Sequence, residues 1–86
     1  MAQKNKPANV IPIGELKAKI WRNLSKDNRV WFNVEIVRSY KDEHGQMQDA
    51  TQFRLAELMN VAKLANMAFD WIHEQQVPAR ASESNE

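Results

Sequence analysis

The sequence contains no cysteine, which excludes disulfide bridges and thiolate metal or redox chemistry. Only two glycines occur, Gly14 and Gly45, so no glycine-rich loop can cradle a phosphate. No uninterrupted apolar run is long enough to span a bilayer. The opening MAQKNKPANV has two lysines with no apolar segment behind them and does not read as a secretory signal. A cytoplasmic location is the expectation. No charge sign dominates either: 12 basic and 11 acidic residues leave a formal net charge of +1, which selects no partner by itself.

Catalytic patterns are equally scarce. His44 falls in an expected turn and His73 near the end of an expected helix, and neither has a second ligand at metal-binding spacing. Both read as solvated or partly buried side chains. Ser25, Ser39, Ser82 and Ser84 lack a nucleophile-elbow context, and Asp42 with Glu43 reads as turn solvation. The expectation is a non-enzyme with no cofactor, no small-molecule substrate and no membrane partner.

What is present is a pattern change along the chain. Residues 1–12 are polar, carry Pro7 and Pro12, and read as a flexible arm; residues 77–86, opening on Val77-Pro78, read as a disordered tail. Between them, 13–76 reads as one domain. Ile13 to Asn23 alternates, with Leu16, Ala18 and Ile20 on one side and Glu15, Lys17, Lys19 and Trp21 on the other, a strand pattern. LSKDN is a loop. Arg29 to Tyr40 is β-branched and aromatic, with Val30, Phe32, Val34 and Ile36 opposite Trp31, Asn33, Glu35 and Val37. Asp42 and Gly45 suit a hairpin turn, and Gln46 to Phe53 is a weaker third strand.

From Arg54 to about Gln76 the chain has no Gly or Pro and is rich in helix formers. It bears two apolar stripes. Leu55, Leu58, Met59, Ala62, Ala65, Phe69 and Ile72 form one, and Val61, Leu64, Ala68 and Trp71 form the other. One stripe suffices to cover a sheet. The first is expected to do so, leaving Val61, Leu64, Ala68 and Trp71 for a second subunit. A core this small commonly gains from oligomerising. The fold expected is α+β: a short antiparallel sheet of three to four strands, then one long C-terminal helix through which a homodimer forms.

The outward sheet face carries the functional signal. Lys17, Lys19, Trp21 and Trp31 share it, and Arg22, Arg38, Tyr40 and Lys41 lie at strand ends. Residues 14–41 hold seven basic and three acidic side chains, a local net of +4 that the nearly neutral total conceals. Cations that track phosphates, interleaved with rings on which unpaired bases stack, suit single-stranded DNA or RNA. Two plainer readings stand beside this one. Trp21 and Trp31 would equally fill a core or lie beneath a partner, and scattered Lys and Arg on a strand would equally be a solvated face.

Ile13-Gly14, the strand leading into Tyr40, then Asp42, Gly45 and Met47 around a turn, and a closing helix together resemble the single-stranded-DNA-binding domain of the transcriptional coactivator positive cofactor four. The patterns G-x-L-K-A-x-I-W and R-x-Y-K-D also resemble small bacterial and phage proteins. The resemblance covers about 13–76. It implies helix-mediated homodimers whose curved sheets bind unpaired strands, with Lys17, Lys19, Trp21, Trp31, Arg38 and Tyr40 on the binding surface. The sequence departs from that pattern in showing no clear fourth strand and in placing Glu15 and Glu35 on the proposed face. The leading expectation is a single-stranded nucleic-acid binder serving replication, recombination or transcription. The alternative is a phage or mobile-element module that occupies a host protein through the aromatic face, where Trp, Tyr and Arg are common anchors.

Overall fold

The computed structural model describes residues 6–76. Four strands, β1 (Asn9–Ile13), β2 (Leu16–Leu24), β3 (Val30–Lys41) and β4 (Met47–Ala50), precede a 3-10 turn (Leu55–Glu57) and the helix α1 (Leu58–Gln76). The sheet is an antiparallel meander in the order β1-β2-β3-β4. The α+β class and the single closing helix are as the sequence indicates.

One strand falls where an arm was expected. Asn9–Pro12 belongs to β1, and the run read as a single strand from Ile13 is broken by a two-residue turn at Gly14-Glu15. Gly14 has a φ of +59°, the positive value that the first central residue of a type II′ hairpin requires, and it spares a side chain that strain. Pro12 escaped recognition as a strand residue because proline removes a ladder donor. It is tolerated here because β1 is an edge strand.

The other two hairpins are built alike. Ser25 N donates to Arg29 O at 2.9 Å and Asn28 N to Ser25 O at 3.0 Å; Asp42 N donates to Gln46 O at 2.9 Å and Gly45 N to Asp42 O at 3.0 Å. The fourth residue of each turn has positive φ, 67° at Asn28 and 79° at Gly45. In each, the first residue's side chain accepts the last residue's N–H, Arg29 on Ser25 Oγ at 3.1 Å and Gln46 on Asp42 Oδ1 at 2.9 Å. Asp42 also accepts His44 N at 2.8 Å and Gln48 Nε2 at 3.0 Å. These donors, the Gln46 N–H foremost, hold its carboxyl below the ordinary aspartate value.

The hairpins fix the register, and the register sorts the sheet into two faces. Leu16, Ala18 and Ile20 of β2 are buried beneath Leu64 and Ala68 of α1, with Ile11, Ile13, Phe32, Ile36, Phe53, Val61, Trp71 and Ile72 around them. Trp71 meets Phe32 edge-on, ring centroids 5.8 Å apart. Glu57 ties the helix start to the sheet. Its Oε1 accepts Arg54 N at 2.8 Å, and its Oε2 lies 3.6 Å from Arg38 Nε.

The stripe of α1 that faces the sheet is the one expected to face a second subunit. Leu64 and Ala68 are 0% and 1% exposed, and Val61 and Trp71 are half-buried, so the stripe assigned to a second subunit packs on its own sheet. Ala68 at the centre of that seam lets the helix approach β2 closely, and Trp71 gains the shelter of Phe32. The other stripe lies roughly 100° around the helix axis. It leaves Leu55 at 85%, Met59 at 79% and Phe69 at 66% exposure. Of the four residues expected at a subunit interface, Leu64 and Ala68 are thus closed off by the chain's own sheet, and Val61 and Trp71 stay half-buried beside them.

Candidate nucleic-acid interface

Strand alternation leaves the face opposite α1 uncovered among the described residues. In register, Lys17 stands opposite Val37, Lys19 opposite Glu35, Trp21 opposite Asn33 and Asn23 opposite Trp31. Trp21 and Trp31 thus occupy one diagonal of a four-residue platform. Asn23 and Asn33 occupy the other, joined by an Asn23 Nδ2 to Asn33 Oδ1 bond of 2.7 Å. Trp31 is 50% exposed and Trp21 half-buried, so the rings are surface groups and not core filling. The two asparagines went unmarked in the sequence. The LSKDN loop does hold the signal, since closing it at Leu24 and Val30 sets each Asn opposite a Trp.

Lys19 and Asp49 stand on the strands flanking β3, and their ion pair, 2.6 Å from Nζ to Oδ2, crosses it. Val37, between their registers on β3, is fully buried although it belongs to the open face. Ser39 Oγ donates to the second Asp49 oxygen at 3.0 Å. The Lys19 bond first, then that of Ser39, holds the Asp49 carboxyl below the ordinary aspartate value. Lys19 is therefore partly neutralised.

The eight residues marked for nucleic-acid binding divide between the faces. Lys17, Lys19, Trp21, Trp31 and Lys41 share the open face, with Glu35 and Asp49 among them. Arg22, Arg38 and Tyr40 lie on the helix side, because β3 keeps its parity to the end. Arg38 faces Glu57 and sits 5.7 Å from the centroid of the Tyr40 ring. Arg22 lines a cleft of about 440 Å³ with Phe32, Trp71 and Gln75 at the far end of α1. Glu15 sits in the β1–β2 turn, at the rim of the open face.

Set against family models, curated proteins and solved structures, the chain matches none. No helix among the described residues is long and apolar enough to cross a membrane.

Proposed function

We propose that the open sheet face binds single-stranded nucleic acid, DNA or RNA, and that the chain works as a homodimer in replication, recombination or transcription in the cytoplasm. The carrying observation is the platform on which Trp21 and Trp31 share one exposed face with Lys17 and Lys41, away from the helix. Bases that stack on such rings gain roughly 1–3 kcal/mol each, and paired asparagine amides offer donors and acceptors to base edges. The resemblance to the positive cofactor four domain supports the same reading, and β1 supplies the fourth strand that resemblance calls for.

The second copy is argued from the exposed stripe. About a point between Lys63 and Leu64 the exposed pattern of α1 is palindromic: Leu58 mirrors Phe69 and Ala62 mirrors Ala65. An antiparallel copy across a two-fold axis there sets large side chains on large ones at both ends. Its alanines meet in the middle, which lets the backbones come close. Leu58→Asp with Phe69→Asp should halve the mass in sedimentation equilibrium and leave the circular dichroism unchanged. A wild-type protein that is monomeric at tens of micromolar would sink the dimer.

Anisotropy titration of a labelled, unstructured oligonucleotide, with a duplex control and a salt series, tests the binding. Preference for the single strand, affinity falling steeply with salt, and a loss of about five- to a hundredfold in Trp31→Ala are expected. A flat salt response would remove the mechanism. Glu35 and Asp49 on the same face favour a second reading, a protein partner anchored on the tryptophans. Binding that survives Lys17→Glu with Lys19→Glu, on a partner without acidic character, would select it.

A further inference from the structure

At one end of the open face, β3 runs past the start of β2. Ser39 N donates to Glu15 O at 2.9 Å, the last backbone bond on that side of β3. Lys41 is two residues further along an extended strand, so its N–H points the same way as that of Ser39, past the Gly14-Glu15 turn. There β2 has already begun its turn, since its pairing with β3 ends at Leu16 opposite Arg38, and no ladder partner stands beside the Lys41 N–H among the described residues. Asp42 N, in between, points the other way and is satisfied by Gln46 O. The overhang leaves a cleft of about 480 Å³ lined by Pro12, Glu15, Lys17, Ser39, Lys41 and Met47. Neither Lys17 nor Lys41 has a carboxylate within ion-pair distance among the described residues, whereas Lys19 is already paired with Asp49.

We propose that this cleft is a phosphate-binding subsite, where Lys17, Lys41 and the Lys41 N–H together hold one backbone phosphate of a strand whose bases lie on Trp21 and Trp31. The proposal rests on the reading of the open face as a nucleic-acid surface and adds where the strand is anchored. Two ammonium groups and an oriented N–H match a phosphate's several acceptor oxygens. The Glu15 carboxylate at the rim opposes the anion and sets a ceiling on affinity. From Lys17 to Trp21 is four residues of strand, roughly 13 Å, so the anchored phosphate and the stacked bases belong to neighbouring parts of one strand and not to one nucleotide.

The test compares full-length wild-type protein with K17A/K41A on an unstructured oligonucleotide across a salt series. A set of oligonucleotides, each with one neutral methylphosphonate linkage at a different place, completes it. The double variant should bind about five- to thirtyfold more weakly at low salt, with a log–log salt slope smaller by about 0.7, the value for one phosphate on a single strand. One linkage position should weaken the wild type to a similar degree and have no further effect on the variant. E15Q should tighten binding two- to threefold. Wild-type binding with an unaltered affinity and slope in K17A/K41A would overturn the subsite and leave the surface standing. Inorganic phosphate that competes at the same concentration as the oligonucleotide phosphates would reassign the cleft to a free anion and overturn the strand anchor. Failure of the wild type to bind any oligonucleotide would overturn the reading of the whole face.

Discussion

On the covered face of the sheet β2 presents Leu16, Ala18 and Ile20, all buried, while on the open face the intervening residues are Lys17, Lys19 and Trp21, all half-buried. The covered face is held by burial, with Leu64 and Ala68 closing over it. The open face is held by polar links between strands, Lys19 with Asp49 and Asn23 with Asn33, and has one fully buried side chain, Val37, among the described residues. Apolar burial therefore holds one side, and polar links between strands hold the other. A slip of one residue in register would exchange the two, and the matched hairpins at Ser25–Arg29 and Asp42–Gln46 prevent that slip.

The difference can be broken most strongly from the covered side. Leu64→Ala should cost about 2–5 kcal/mol in chemical denaturation, through lost burial and the cavity left over β2. A cost below about 1 kcal/mol would mean that the helix is not clamped on the sheet. The open side gives the complement. Trp31→Ala, which removes a half-exposed ring, should move stability by no more than about 0.5 kcal/mol while it lowers oligonucleotide affinity. An equal loss of both would make the ring structural.

The smallest effect sharpens the comparison through pH. The Asp49 carboxyl holds its proton less tightly when folded than when unfolded, so the unfolded chain takes up more protons in acid. Its stabilising contribution is present above the ordinary aspartate value of 3.8 and is lost as pH falls through the lower folded value. Asp49→Asn should flatten the melting temperature between about pH 5 and pH 2 relative to wild type. A profile parallel to wild type would show that the Lys19–Asp49 bridge contributes nothing.

Much of this was legible in the sequence. A period of two gave both faces of β2 and β3 correctly, because each strand has one apolar and one polar side. Asp42 and Gly45 gave the turn between β3 and β4. The first strand was not legible, since Asn9–Ile13 is short, contains Pro12 and has too few residues for a period to show. The assignment of the helix stripes could not be read either. Both are apolar and helical in spacing, and the choice between them depends on how Ala68 and Trp71 fit against Ala18 and Phe32, a match between segments some fifty residues and forty residues apart in the chain. Parity decided the fate of Arg22, Arg38 and Tyr40 as well. Treating them as strand-end residues hid that β3 stays regular through Lys41.

The meander order has a kinetic consequence. Each strand pairs with its neighbour in sequence across a turn of two to five residues, so every ladder closes a short loop at low entropic cost. The sheet can form hairpin by hairpin before the helix is needed, and the docking of α1 on β1, β2 and β3 joins the most distant parts of the chain. Such a topology places the molecule among quick folders for its β content. The closing of Leu64 and Ala68 over β2 carries the largest loop-closure cost, and it is the same event that separates the two faces.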